Sequence, residues 1–353
     1  MDFRFSEEQQ MTAEAVRSLL NDLCQPADLR RLMNSGEARD ERRWEKIVEM
    51  GLQGALVPEA QGGLGLAAAD FVLVAEACGY AGLPEPLVEN AGVALPLLAA
   101  LARGDAAAEV LDKALAGAMT LAIAHPANHF IADADAAGAI LAVDGTDIRL
   151  CNPSAVSLVR QPSIDPFRRL FAIANHSTAP WVADAGAAAI HLDAALDRGA
   201  LFAAAQMVGI AQRAIDLSVA YTRERSQFGK PIGSYQAVKH LLATAQVKIE
   251  FAKPVVYAAA AQLSQADMFS RARVSHAKLA AADAADLACR SAIQAHGAMG
   301  YSWEVDVHFF LKRALALSTW WGDARFHRGR VAARVFNQPL GAEYTFATTA
   351  QDA

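Results

Sequence analysis

The segment Tyr221-Thr222-Arg223-Glu224-Arg225-Ser226-Gln227-Phe228-Gly229-Lys230-Pro231-Ile232 interrupts two long apolar helical runs. Its glycine and proline break a regular helix, so the chain has to turn here. The turn gathers two close arginines, a polar residue and an aromatic side chain. A guanidinium fork recognises phosphate through paired hydrogen bonds. A glycine lets backbone come close to a flat or anionic ligand. A second helix-to-turn junction follows at Gln294-Ala295-His296-Gly297-Ala298-Met299-Gly300-Tyr301. Together the two junctions read as half of a dinucleotide-binding site.

Around them the pattern predicts a mostly α protein with a small β domain. Residues 1–118 form an N-terminal α-helical domain. It opens on Ser6-Glu7-Glu8-Gln9, an N-cap with acids in the first helical turn. Val57 to Leu66 is a glycine-rich loop, and 87–118 reads as amphipathic helix. Short apolar runs near Thr120–Ala124, Ala139–Val143, Ile148–Leu150 and Leu170–Ala174, punctuated by turn residues, define a reduced middle β domain over 119–190. Residues 191–353 return to about four long helices. Breaks are expected near Gly229–Ser234, Gln265–Ser270 and Gly297–Tyr301.

The formal net charge of −6 gives no basic surplus for nucleic acid. Cys24, Cys78, Cys151 and Cys289 lack metal-ligand spacing and read as buried free thiols. Pro126 prevents one regular helix from carrying both His125 and His129, so no metal site is expected there. No stretch reaches the roughly 20 apolar residues of a membrane span, and the start lacks an apolar signal core. A cytoplasmic protein without membrane contact is the expectation.

With these segments in view, the chain resembles the acyl-CoA dehydrogenase superfamily along nearly its whole length. Val57-Pro58-Glu59 with Gly62-Gly63-Leu64-Gly65 is similar to the N-domain loop motif of that family. Ala211-Gln212-Arg213-Ala214 with Arg225-Ser226-Gln227-Phe228-Gly229 resembles its C-domain motif. Gln294 to Tyr301 resembles its glycine-rich segment. The resemblance implies a helical N-domain, a middle β domain, a four-helix bundle, and FAD held across a bundle dimer. It places Arg225, Gln227 and Phe228 at the pyrophosphate region of a facing subunit's FAD, with Tyr235 and Gln236 making further contacts. Gln294, Gly297 and Ala298 would line the adenosine-diphosphate part, and Asp323 with Arg325 the adenine or ribose end. Read without the family, Arg225 is an exposed bundle arginine paired with Glu224 or Asp216. Phe228 could be a core anchor, His296 a packing residue, and Asp323 a surface partner of Arg325 or Arg328.

The family reaction needs a carboxylate that takes a Cα proton while flavin takes a hydride. The commonest position of that base falls on Trp321, in Trp320-Trp321-Gly322-Asp323. The alternative position falls on Gly199, and Ala200 stands where members often carry an arginine for the CoA. The flavin-holding segment of the middle domain reads Ala124-His125-Pro126-Ala127-Asn128-His129, far from the family pattern. No catalytic residue is assigned. Asp323 is the nearest acid, but two positions away on a helix it faces elsewhere.

Three readings follow. In the first, the chain is the shorter, base-lacking subunit of a heteromeric, steroid side-chain type acyl-CoA dehydrogenase. A full-length partner subunit carries the Glu, the substrate is an acyl-CoA, and an electron-transfer flavoprotein is the expected acceptor. In the second, it is a self-sufficient homo-oligomeric flavoenzyme with a relocated base, Asp323 first, or altered chemistry. In the third, it is a non-catalytic structural or binding protein.

Overall fold

The computed structural model describes residues 4–101, 104–144, 147–173, 181–183 and 185–339. Seven helices come first: α1 (Glu7–Leu23), α2 (Pro26–Ser35), α3 (Glu41–Glu49), α4 (Ala68–Ala81), α5 (Leu87–Glu89), α6 (Leu95–Leu101) and α7 (Asp105–Leu115). The start of α1 is a capping box. The Gln9 amide donates to Ser6 Oγ at 3.2 Å, and the Ser6 amide donates to Gln9 Oε1 at 2.8 Å. Between α5 and α6 the backbone makes a π-helical turn, Asn90–Ala94. All five of its residues are buried, as are six of the seven in α6. The amphipathic helix expected after residue 87 is therefore a core element there, apolar all round because neighbours cover every side.

Seven strands follow: β1 (Leu121–Ala124), β2 (Ile131–Ala132), β3 (Ala139–Asp144), β4 (Asp147–Cys151), β5 (Leu158–Gln161), β6 (Leu170–Ile173) and β7 (Trp181–Ala183). One sheet has the order β1-β3-β4-β7, with β1 and β3 parallel; the other is antiparallel β2-β6-β5. Successive side chains leave a strand on opposite faces. Leu121, Ile123, Ala139 and Leu141 join the large helical core, while Ala122, Ile140 and Ala142 pack with Ile131 and Phe171 of the second sheet. Covering both faces explains why these strands read as unbroken apolar runs. The short β2, β5 and β7 carry no such run and were not expected.

Among the described residues the C-terminal part holds five helices, where about four were expected: α8 (Ala185–Glu224), α9 (Gln236–Ala261), α10 (Met268–His296), α11 (Val307–Thr319) and α12 (Ala324–Asn337). The unexpected break lies at Trp320–Asp323. Helix α8 also begins before residue 190, inside the span expected for the β domain. A two-stranded hairpin, β8 (Ser226–Gln227) and β9 (Lys230–Pro231), joins α8 to α9. The four cysteines are free and buried. Among the described residues, no helix is long and apolar enough to cross a membrane.

Helix α8 packs against α10, α4, α9 and α11. Two glycines set its distance from α4. A Cβ on Gly79 would lie 2.1 Å from the Gln206 carbonyl oxygen, and one on Gly209 would lie 2.0 Å from the Glu76 carbonyl oxygen. Both opposing atoms are helical backbone and have little room to yield. Gly79→Ala should therefore cost about 1–3 kcal/mol or more through overpacking. A urea midpoint unchanged from wild type would contradict this close contact.

Candidate functional site

The β8–β9 hairpin closes through Phe228 and Gly229, at φ 54° and 80°. Two consecutive positive φ values suit a tight two-residue hairpin, but for a bulky aromatic residue that conformation is strained. Phe228 is also 92% exposed, so it is not a core anchor of this chain. Tyr235 steadies the hairpin: its hydroxyl donates to the Gln227 carbonyl at 3.3 Å, and Lys230 Nζ lies 4.3 Å from its ring centroid. Arg225 is exposed and forms no ion pair among the described residues. The partner considered for it, Asp216, instead accepts from Tyr80 at 2.9 Å and from Gln212 at 3.0 Å. Gln236 is exposed at the first position of α9.

The second junction lies beside the first. His296, at the end of α10, stacks on Tyr221 near the end of α8, with ring centroids 4.3 Å apart and planes 22° apart. Gln294, Gly297 and Ala298 are exposed, and a Cβ on Gly297 would meet nothing within 4 Å. The Arg225–Gly229 hairpin and the Gln294–Tyr301 segment thus emerge at neighbouring helix ends. Asp323 and Arg325 are exposed at the start of α12. Asp323 caps that helix by accepting from the Phe326 amide at 2.8 Å, and it pairs with neither Arg325 nor Arg328 among the described residues.

The two positions expected for a base are in contact with each other. Trp321 is 2% exposed, and a Cβ on Gly199 would fall 2.2 Å from its Cδ2. The indole lies where a side chain at 199 would otherwise start. Trp321 has φ 59°, a left-handed backbone rare for a large residue. Four fixed partners hold it there. Its amide donates to Asn128 Oδ1 at 2.7 Å, so the altered middle-domain segment now supports Trp321. Its carbonyl accepts from His327 Nε2 at 3.0 Å. The His125 ring meets its edge at 5.2 Å. Its indole Nε1 donates to Glu89 Oε1 at 3.1 Å, and Trp320 Nε1 donates to the same oxygen.

Glu89 belongs to a buried ionic cluster that sequence reading missed. Burial raises its pKa, opposed by Arg168 and the two indole N–H donors. The Arg168 guanidinium lies 4.0 Å from the Trp320 ring centroid. Lys278 Nζ donates to the carbonyls of Leu317 at 2.6 Å and Trp320 at 2.7 Å, closing the end of α11. Burial, with help from Arg168, pulls Lys278 down to about 7. The one available sequence signal was a lone acid, Glu89, at the head of an apolar run. The cavity left between Glu89, Asp133, Trp320, Trp321 and strand β1 is about 20 Å³. That is room for about one water molecule and far below the roughly 300 Å³ of a small ligand pocket.

Two outcomes test this geometry. Trp321→Ala should cost about 3–5 kcal/mol by opening a cavity, and Gly199→Ala about 1–3 kcal/mol by collision. The double variant should cost less than their sum by about 1 kcal/mol or more, because the collision disappears with the indole; additive costs in chemical denaturation would refute the contact. His327 is fully buried, accepts at Nδ1 from Ser275 Oγ at 3.0 Å, and is pushed down to about 4, chiefly by burial. Its depressed pKa gives stability that is present above 6.5 and lost as pH falls towards 4. The stability gap between wild type and His327→Gln should shrink across that window, by at most about 1.4 kcal/mol per pH unit. A pH-independent gap in unfolding titrations would overturn this.

Two family models match the chain: "Acyl-CoA dehydrogenase, N-terminal domain" over residues 6–118 and "Acyl-CoA dehydrogenase, C-terminal domain" over residues 188–336. The acyl-CoA dehydrogenase IpdE2 of Mycobacterium tuberculosis is 35% identical over 311 residues, which cover 87% of this chain and 91% of that protein. A chain of the ChsE4–ChsE5 complex from Mycobacterium tuberculosis superposes with a TM-score of 0.81 at 20% identity, covering 96% of this chain and 100% of that one. The Tcur3481–Tcur3483 steroid acyl-CoA dehydrogenase gives a TM-score of 0.80 at 21% identity, covering 94% and 98%. At such identities the two structures speak for the fold alone, whereas the IpdE2 match and both family models run along the sequence itself. The chain belongs to the acyl-CoA dehydrogenase family, oxidoreductases that act on CH–CH bonds.

Proposed function

We propose that this chain is the base-lacking subunit of a heteromeric, FAD-dependent acyl-CoA dehydrogenase, and that a second subunit of the family supplies the catalytic Glu. One observation carries the reading: both base positions are spent on a single contact, the Trp321 indole against Gly199, and it leaves a cavity of about 20 Å³. FAD supplies the hydride acceptor in this family. Its ring does not fit this chain's own pocket. The exposed hairpin does suit a cofactor held in a facing subunit, because Arg225 has no ion-pair partner among the described residues and Phe228 stands out in a strained turn. Arg225 and Gln227 would bind pyrophosphate oxygens there, and Phe228 would cover the cofactor from water. Gln294, Gly297 and Ala298 would line its adenosine end, with Tyr235 and Gln236 behind the hairpin and Asp323 and Arg325 beside it.

The ChsE4–ChsE5 and Tcur3481–Tcur3483 neighbours each pair two named chains, which supports a heteromer. The substrate in this reading is an acyl-CoA of the steroid side-chain class, and electrons pass to an electron-transfer flavoprotein. The complex would hold one FAD for each pair of unlike chains. Asp323 as a relocated base finds no support, since its carboxylate caps α12 on the surface.

The test is flavin absorbance of the full chain purified alone and with its full-length family partner. The chain alone should be colourless and the complex yellow, at one FAD per two chains; one FAD per chain in the isolated protein would overturn the proposal. Arg225→Ala should weaken flavin retention in the complex roughly tenfold to a hundredfold, the worth of one or two charged hydrogen bonds. Unchanged occupancy would remove Arg225 from the site.

A further inference from the structure

A second cleft lies on another side of α8. Arg198 is the residue before Gly199, so it leaves the helix about 100° around from the plugged pocket. It lines a cleft of about 620 Å³ between the loop before α4, helix α6, the start of α8 and the end of α9. The walls are largely apolar, among them Leu66, Pro96, Ile190 and Leu263, while Ser264 and the paired Asp197 and Arg271 line the cleft beside Arg198. Two lip residues stay wet, Ile190 at 72% and Leu66 at 38% exposure.

The charges around the cleft do not balance. Arg271 lies 3.1 Å from Asp193 and 3.6 Å from Asp197, and Arg330 lies 2.6 Å from Asp197. Two carboxylates are thus taken by two arginines. Arg198 has only a share in Asp197, whose charge acts on it but is already paired with Arg271 and Arg330; its Nε is buried without a hydrogen-bond partner, and it forms no ion pair within contact distance among the described residues. Burial pulls its pKa down to about 10, so it remains a cation at neutral pH. Desolvating a guanidinium beside apolar walls is costly unless an anion completes it. A guanidinium fork accepts a carboxylate or sulfonate in two parallel hydrogen bonds. The cleft volume lies in the range of small-molecule pockets.

We propose that this cleft is a binding site for a monoanionic amphiphile, whose single anionic head pairs with Arg198 while its apolar body lies between Leu66, Pro96 and Ile190. A monoanion matches the one uncompensated positive charge. This site is separate from the flavin contacts and from the sealed pocket, and it does not require the heteromer.

Isothermal titration of octanoate and octanol into the full chain, alone and in the complex with its partner, tests it. Octanoate should bind saturably at one site per chain and at least about tenfold more tightly than octanol, the worth of a charge-assisted hydrogen bond. Arg198→Ala should abolish that preference and Arg198→Lys should keep most of it. Should Arg198→Ala not fold, Ile190→Glu is the second variant: it places a carboxylate on an exposed lip and should weaken octanoate at least tenfold while leaving the melting temperature unchanged. Equal affinity for octanoate and octanol, no saturable octanoate binding, or full affinity in Ile190→Glu would overturn the proposal. Loss of octanoate binding in the complex alone would instead show that the partner covers the cleft, and would overturn it as a ligand site of the assembled protein.

Discussion

Helix α8 is the axis of the C-terminal part, and bare backbone decides how closely its neighbours approach. At Gly79 and Gly209 the main chains of α4 and α8 come into direct contact, which fixes the N-terminal helices against the bundle. At Gly199 the same device admits an indole from the α11–α12 turn. Side chains at these sites would push the layers apart by more than a packed interior can absorb. The position of the hairpin at the far end of α8 follows from the same axis.

The Trp320–Trp321 turn, where the family resemblance places a base, is a structural location in this chain. A carboxylate that abstracts a proton needs an open pocket above it. Here the pocket is filled, and the polar groups around it serve the turn instead. Glu89 accepts from both indoles, Lys278 closes the end of α11, and Asn128 and His327 hold the Trp321 backbone. A buried cluster of this kind stands only when its members satisfy one another, since a lone buried charge is costly. The left-handed Trp321 backbone is sustained by Asn128, His327, His125 and Glu89 rather than by its own preference.

The exposed hairpin presents the opposite case. Phe228 and Gly229 make a strained turn whose aromatic tip has almost no contact with the chain. Strain without local recompense marks a surface that gains its contacts elsewhere. Helix α8 is thus met by an indole at Gly199 in its first half, while the hairpin beyond its C-terminal end projects an aromatic outward. The division of labour proposed between two subunits rests on that difference.

Sequence alone determined the order of helices, strands and helices, because periodicity and turn residues are local signals. It also carried the family motifs, and with them the expectation that the base positions fall on Trp321 and Gly199, which are matters of residue identity. It did not reveal the Trp320–Asp323 break, because Trp321 holds a conformation that its own propensity disfavours. It missed β2 and β7, which are too short to show a pattern, and β5, whose Leu158-Val159-Arg160-Gln161 is only half apolar. Only the tertiary structure decided that Trp321 and Gly199 touch, that Glu89 bonds to an indole 232 positions away, and that Arg198, Arg271 and Arg330 share the Asp197 carboxylate. Those facts depend on which faces of distant elements meet, and that is set by close packing across the whole chain rather than by any local stretch of it.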